Sequence, residues 1–114
     1  MKKSLLTLWI TFFAVVSFAQ QSTVDTINIY STSNQKRIKA VVIKPAGYSK
    51  KGERFPVVYL LHGYSGDYSN WILKVPALKE HASFFNTIIV CPNGENSWYI
   101  NSPVDAGSNF ETFV

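Results

Sequence analysis

The chain has 114 residues, a formal net charge of +4 and 46% hydrophobic residues. That length holds at most one small globular domain, and the charge is too small and too scattered to indicate a nucleic-acid partner. Its single cysteine, Cys91, excludes any disulfide within the chain.

Lys2 and Lys3 precede an uncharged apolar stretch from Leu5 to Phe18, and Ser17-Phe18-Ala19 places small residues at the first and third positions of a cleavage site. This pattern predicts a secretory signal peptide over residues 1–19, cut after Ala19. The apolar run is short for ~30 Å of hydrocarbon. It ends in Ala-Gln-Gln rather than in positive residues, and no cysteine lies nearby for lipid attachment. No stable membrane anchor is therefore expected after cleavage. Losing Lys2 and Lys3 from the formal charge of +4 leaves +2 on residues 20–114. The expected location is periplasmic or extracellular.

Val24, Ile27 and Ile29 alternate with polar residues, Ser31 to Gln35 reads as a turn, and Ile38 to Ile43 is the next apolar run. Two strands joined by a short polar turn predict an antiparallel hairpin. Lys44 to Phe55 reads as a solvated loop carrying Lys50, Lys51, Glu53 and Arg54. Val57 to Leu61 is a short uncharged apolar run, opened by Pro56 and closed by His62-Gly63. Its length and flanks predict a strand buried on both faces, as in a parallel sheet. Trp71, Val75, Leu78 and Ala82 share one helical face; Pro76 inside that pattern implies a helix that is kinked there or begins there. Thr87 to Cys91 is the next buried strand, and strand, helix, strand predicts a parallel pair. Asn93 to Gly107 is a long loop, and its Trp98 and Tyr99 argue that it is ordered. Ser108-Asn109-Phe110-Glu111 has the spacing of a capping box, which predicts a helix from Asn109. Val114 falls within two turns of that start, and the expectation is a truncation point there.

Leu60-Leu61-His62-Gly63-Tyr64-Ser65-Gly66-Asp67-Tyr68-Ser69-Asn70-Trp71 resembles the His-Gly oxyanion turn of α/β-hydrolases. With Ile89 to Gly94 and Asn96-Ser97-Trp98-Tyr99 it resembles, more narrowly, the esterase family that includes esterase D, feruloyl and acetylxylan esterases and the mycolyltransferase antigens. The resemblance runs from about Arg37 to Val114. It implies the N-terminal part of an α/β-hydrolase sheet over residues 20–114: an antiparallel hairpin, then a parallel strand–helix–strand. It also implies a serine esterase acting on small-molecule or carbohydrate esters, acyl or feruloyl, without a cofactor. An acyltransferase of the same fold, and a secreted β-rich carbohydrate-binding module, are the alternatives.

Acyl transfer on this fold needs a Gly-x-Ser-x-Gly elbow followed by an acid and a histidine. Neither Gly63-Tyr64-Ser65-Gly66 nor Gly66-Asp67-Tyr68-Ser69-Asn70 has that spacing. The nucleophile, acid and base are therefore expected beyond Val114, and Ser65 is read as a loop serine. What remains is half an oxyanion hole. The resemblance implies that one donor is the Tyr64 backbone amide, with Gly63 allowing the tight turn and His62 bracing it by hydrogen bonds. Trp98 and Tyr99 either line the acyl or aryl pocket or pack over the sheet. Trp71 reads as core, Asp67 as a loop brace, His81 as a surface residue and Cys91 as a buried small hydrophobe. The remaining carboxylates show no paired spacing for acid–base work, and no His or Cys cluster suggests a metal.

Overall fold

The computed structural model describes residues 21–48 and 52–114. The expected signal peptide lies outside the described residues, as do Lys50 and Lys51. β1 (Thr23–Ser31) and β2 (Lys36–Lys44) form the expected antiparallel hairpin, in register from Thr23 opposite Lys44 to Ser31 opposite Lys36. β3 (Val57–Tyr59) runs parallel to β4 (Ile88–Pro92), and β4 pairs antiparallel with β2. The sheet order is β1-β2-β4-β3, which places β3 at an edge.

Between β3 and β4 lie two helices, α1 (Asn70–Lys74) and α2 (Leu78–Phe84). The break falls at Val75-Pro76. Proline disfavours the helical region for the residue before it, and Val75 sits at φ −129°, ψ 75°. α2 lays Leu78 and Ala82 on Val41, Ile43, Ile89 and Cys91, and this is the main core. Trp71, Ile72, Val75, Tyr68 and Leu60 pack around its margin. Truncating a buried leucine such as Leu78 to alanine removes about 2–5 kcal/mol at a site of this kind. Cys91 is buried here, and desolvation pushes its thiol up to about 11.

Two expectations need correction. β3 is not buried on both faces: Val57, Val58 and Tyr59 are 46–52% exposed, because the strand has a partner on one side only. The capping box at Ser108 does not form either. α3 (Phe110–Phe113) has Asn109 at its N-cap with no side-chain cap hydrogen bond. The Asn109 amide donates instead to Asn34 Oδ1, and the Asn109 side chain donates to the carbonyls of Ser33 and Ala106. Asn34 is buried in the β1–β2 turn and also donates to Ser31 Oγ. A polar contact 75 residues away in sequence thus fixes the N-cap residue, and the first-turn amide of Thr112 donates to Asn101 Oδ1.

The loop from Asn93 to Gly107 is ordered by its own turns and by long-range ties. Lys36 pairs with Glu95 at 2.7 Å, and Asn101 exchanges two hydrogen bonds with Thr112. No described helix is long and apolar enough to cross a membrane.

Candidate active site

The site lies at the carboxyl ends of β3 and β4, where the His62–Trp71 turn and the Asn93–Tyr99 loop meet. The ladder bond from the Leu60 amide to the Val90 carbonyl carries the pairing one residue past β3. The chain then leaves the sheet at His62.

His62 is buried and fully engaged. The Gly94 amide donates to Nε2 at 2.8 Å, and Nδ1 lies 2.7 Å from the Gly63 carbonyl oxygen. A ring nitrogen that accepts an N–H must be unprotonated, so the proton sits on Nδ1 and is donated to Gly63. Both ring nitrogens are therefore spent on backbone. This geometry ties the turn to the start of the Asn93–Tyr99 loop.

The need for glycine falls elsewhere than expected. Gly63 has open space where a Cβ would point, and its backbone does not require positive φ. Gly66 is the constrained position: a Cβ there would lie 2.5 Å from Asn70 Nδ2, 2.9 Å from the Gly63 carbonyl oxygen and 3.0 Å from His62 Nδ1. The Gly66 amide donates to the Gly63 carbonyl and closes the turn, with Ser65 between them at φ 62°. The freedom at Gly63 leaves its surface open to a ligand.

The Tyr64 amide donates to no group among the described residues. Its ring is exposed and stacks on Trp98, centroids 5.3 Å apart and planes 21° apart. Asp67 braces the far side of the turn, accepting from the Ser69 amide and hydroxyl at 2.6 Å each. Those hydrogen bonds hold its carboxyl below the usual carboxylate range. A cleft of about 240 Å³ opens beside the turn, lined by His62, Gly63, Asn70, Trp71 and Lys74. Trp71 is anchored by its indole N–H to the Leu61 carbonyl at 3.0 Å.

Trp98 and Tyr99, adjacent in sequence, have separate fates. Trp98 is 69% exposed beside Tyr64. Tyr99 turns inward at φ 56°, a left-handed conformation that is costly for a bulky residue. Its ring lies against Gly94, where a Cβ would come within 2.4 Å of it, and is tilted over His62 at 5.3 Å. Its hydroxyl accepts from the His62 amide at 3.2 Å and donates to the Pro92 carbonyl at 3.1 Å. His81 lies exposed on α2, away from this group. Sequence reasoning did not single out Gly94, Gly66 or Asn70. A glycine two residues after Pro92, the end of β4, was the one available signal for Gly94. Among the described residues there is no cluster of three or more potential metal ligands.

A family model described as "Putative esterase" matches residues 31–114. An acetyl esterase of Caldicellulosiruptor saccharolyticus is 32% identical over 82 residues, which cover 66% of this chain and 30% of that protein. Among solved structures, a ferulic acid esterase aligns at 25% identity and TM-score 0.68, covering 84% of this chain and 40% of that one. A CE1 ferulic acid esterase from Anaeromyces mucronatus, in complex with ferulic acid, aligns at 27% identity and TM-score 0.52 over 71% of this chain and 32% of its own. The fluorophosphonate-binding serine hydrolase F of Staphylococcus aureus shares the fold at 19% identity and TM-score 0.69, covering 82% of this chain and 37% of that one. The chain thus spans 30–40% of the length of these relatives. With the hairpin, the parallel β3–β4 pair and the helices between them already in place, the chain belongs to this esterase family and forms part of an α/β-hydrolase fold.

Proposed function

We propose that these residues supply half of the oxyanion hole of an exported serine carboxylesterase. The substrates are acyl or feruloyl esters, free or on carbohydrate. The observation that carries the reading is the Tyr64 amide. It sits at the carboxyl end of β3, engaged by no described group, on a turn pinned from both sides by His62. Ligands in open α/β sheets gather at that end. The relatives named as acetyl and ferulic acid esterases support the substrate class.

In this reading a serine outside these residues attacks the ester carbonyl, and a histidine outside them takes its proton. The carbonyl oxygen becomes an oxyanion, and the Tyr64 N–H donates to it. The tetrahedral intermediate collapses, the histidine returns the proton to the departing alcohol, and water then cleaves the acyl-enzyme by the same sequence. His62 is not the base, since its Nε2 is occupied by the Gly94 amide. The leader over residues 1–19 directs export.

The test is hydrolysis of p-nitrophenyl acetate and methyl ferulate by the complete protein carrying this chain. Tyr64→Pro removes the N–H, and loss of one oxyanion donor costs about 10²–10³ in kcat. Tyr64→Phe keeps the amide and the ring stack and is expected to keep turnover close to wild type. A proline variant with wild-type kcat contradicts the assignment.

A further inference from the structure

The parallel ladder between β3 and β4 follows a strict two-residue step at its end. The Ile88 amide donates to the Pro56 carbonyl, and the Leu60 amide donates to the Val90 carbonyl. The next donor in that series would be residue 92, a proline without an N–H, so the next bond the ladder can make would run from the His62 amide to the Pro92 carbonyl. In its place stands the Tyr99 hydroxyl, which accepts from the first group and donates to the second. We propose that Tyr99 is a positioning residue: its hydroxyl is a wedge in the last rung of the β3–β4 ladder, holding the two strand ends apart so that the Tyr64 amide faces the reacting carbonyl. The inference rests on the esterase reading given above and assigns Tyr99 a role away from the substrate.

Several features fix the wedge. The Tyr99 amide donates to Ser97 Oγ at 3.1 Å, and the Ser97 amide to the Gly94 carbonyl at 3.2 Å, so the segment is folded on itself. Gly94 leaves no Cβ to displace the ring. The left-handed backbone at Tyr99 is a local strain of the kind that persists only where surroundings over-determine it. Burial of the phenol raises its pKa, which keeps the hydroxyl protonated and able to serve both neighbours. His62 is bound on the same rung by three groups: its amide by Tyr99, Nε2 by the Gly94 amide and Nδ1 by the Gly63 carbonyl. Without the hydroxyl, the His62 N–H and the Pro92 carbonyl are left facing each other. A buried unpaired couple closes to a direct bond, which would draw His62-Gly63-Tyr64 toward β4.

The decisive variant is Tyr99→Phe in the complete protein, followed by steady-state kinetics, thermal unfolding and a crystal structure. A displacement near 1 Å of a reacting group can cost about 10²-fold in rate. The expected result is a fall in kcat of about tenfold or more, with KM little changed and the melting temperature nearly kept, because a direct rung replaces the bridged one. The structure is expected to show His62 N within about 3 Å of the Pro92 carbonyl oxygen. Unchanged kcat overturns the proposal, and so does a melting temperature that falls while kcat per folded molecule stays at the wild-type value. If Tyr99→Phe does not fold, Ser97→Ala decides: it releases the Tyr99 amide, and a lowered kcat at constant KM supports the wedge while an unchanged kcat overturns it. If the wild-type protein hydrolyses no ester, the esterase reading fails separately. The wedge is then read from the crystal structure alone, where an unclosed rung in Tyr99→Phe overturns it.

Discussion

One strand ends in two different environments. The body of β3 is apolar and half exposed, with β4 on one side and nothing described on the other. Its carboxyl end, from Leu60 to Gly63, is held by hydrogen bonds: to the Val90 carbonyl, to Tyr99, to Gly94 and within the Gly63–Gly66 turn. The turn is therefore organised by contacts within these residues, whereas the strand that carries it is not. The geometry of an oxyanion donor can be set before the rest of a sheet is present. Stability cannot, because an apolar edge with free amides and carbonyls is a template for association.

The sharpest way to break this comparison is to express residues 20–114 alone. No p-nitrophenyl acetate hydrolysis is expected, since a donor without a nucleophile has nothing to stabilise. Size-exclusion chromatography is expected to show association through β3. Val58 lines an apolar cavity of about 360 Å³ with Leu60, Leu78 and Phe85, so Val58→Lys is expected to reduce that association. A monodisperse monomer with cooperative unfolding would contradict the claim that the edge is unsatisfied. Turnover that survives purification controls would place a nucleophile within these residues.

Within the turn, glycine substitutions sharpen the contrast. Gly66→Ala drives a Cβ against Asn70, the Gly63 carbonyl and His62. It is expected to cost about 1–3 kcal/mol of stability in the complete protein, as overpacking does, read by denaturant or thermal unfolding. Gly63→Ala meets open space and is expected to leave stability near wild type; under the proposed oxyanion role its methyl would enter the cleft beside the turn and lower turnover. Equal stability losses at the two positions would contradict the assignment of the constraint to Gly66.

The smallest effect is at Asp67. Its carboxyl is held below the ordinary value by the Ser69 hydroxyl and amide. A carboxylate whose pKa is lowered by folding stabilises the fold above its unfolded pKa, about 3.9, and loses that contribution as pH falls through the folded value. Asp67→Asn is expected to lower stability slightly at neutral pH, the contribution being small because the group lies near solvent, and to converge on wild type well below about pH 4, which flattens the acid limb. An unaltered acid limb would show that the Ser69 bonds carry no linkage.

Much of the frame is legible in residue order. The alternation at Val24, Ile27 and Ile29 with the apolar run at Ile38–Ile43 marks the hairpin, and Pro76 marks the break between α1 and α2. The parallel pairing follows from two apolar runs separated by a helical pattern. What escaped the sequence depends on distant partners. Asn109, tied to Asn34 and to the Ser33 carbonyl, takes the N-cap position that the Ser108 spacing assigns to the serine. Gly94 and Tyr99 reach His62 only because the β3–β4 crossover returns the chain to its side. Trp98 and Tyr99 look equivalent as neighbouring aromatics, and the left-handed backbone at Tyr99 sends one inward and leaves the other on Tyr64. The apolar run Val57 to Leu61 reads as buried on both faces from its length and flanks, and these do not say how many neighbours a strand has.

The most direct measurement is a crystal structure of the complete protein bearing a tetrahedral phosphonate adduct on its nucleophile. The expected result places one adduct oxygen about 2.7–3.1 Å from the Tyr64 backbone nitrogen, with the His62 bonds to Gly63 and Gly94 unchanged. An adduct oxygen held by other donors, with the Tyr64 amide pointing away from it, would contradict the central claim.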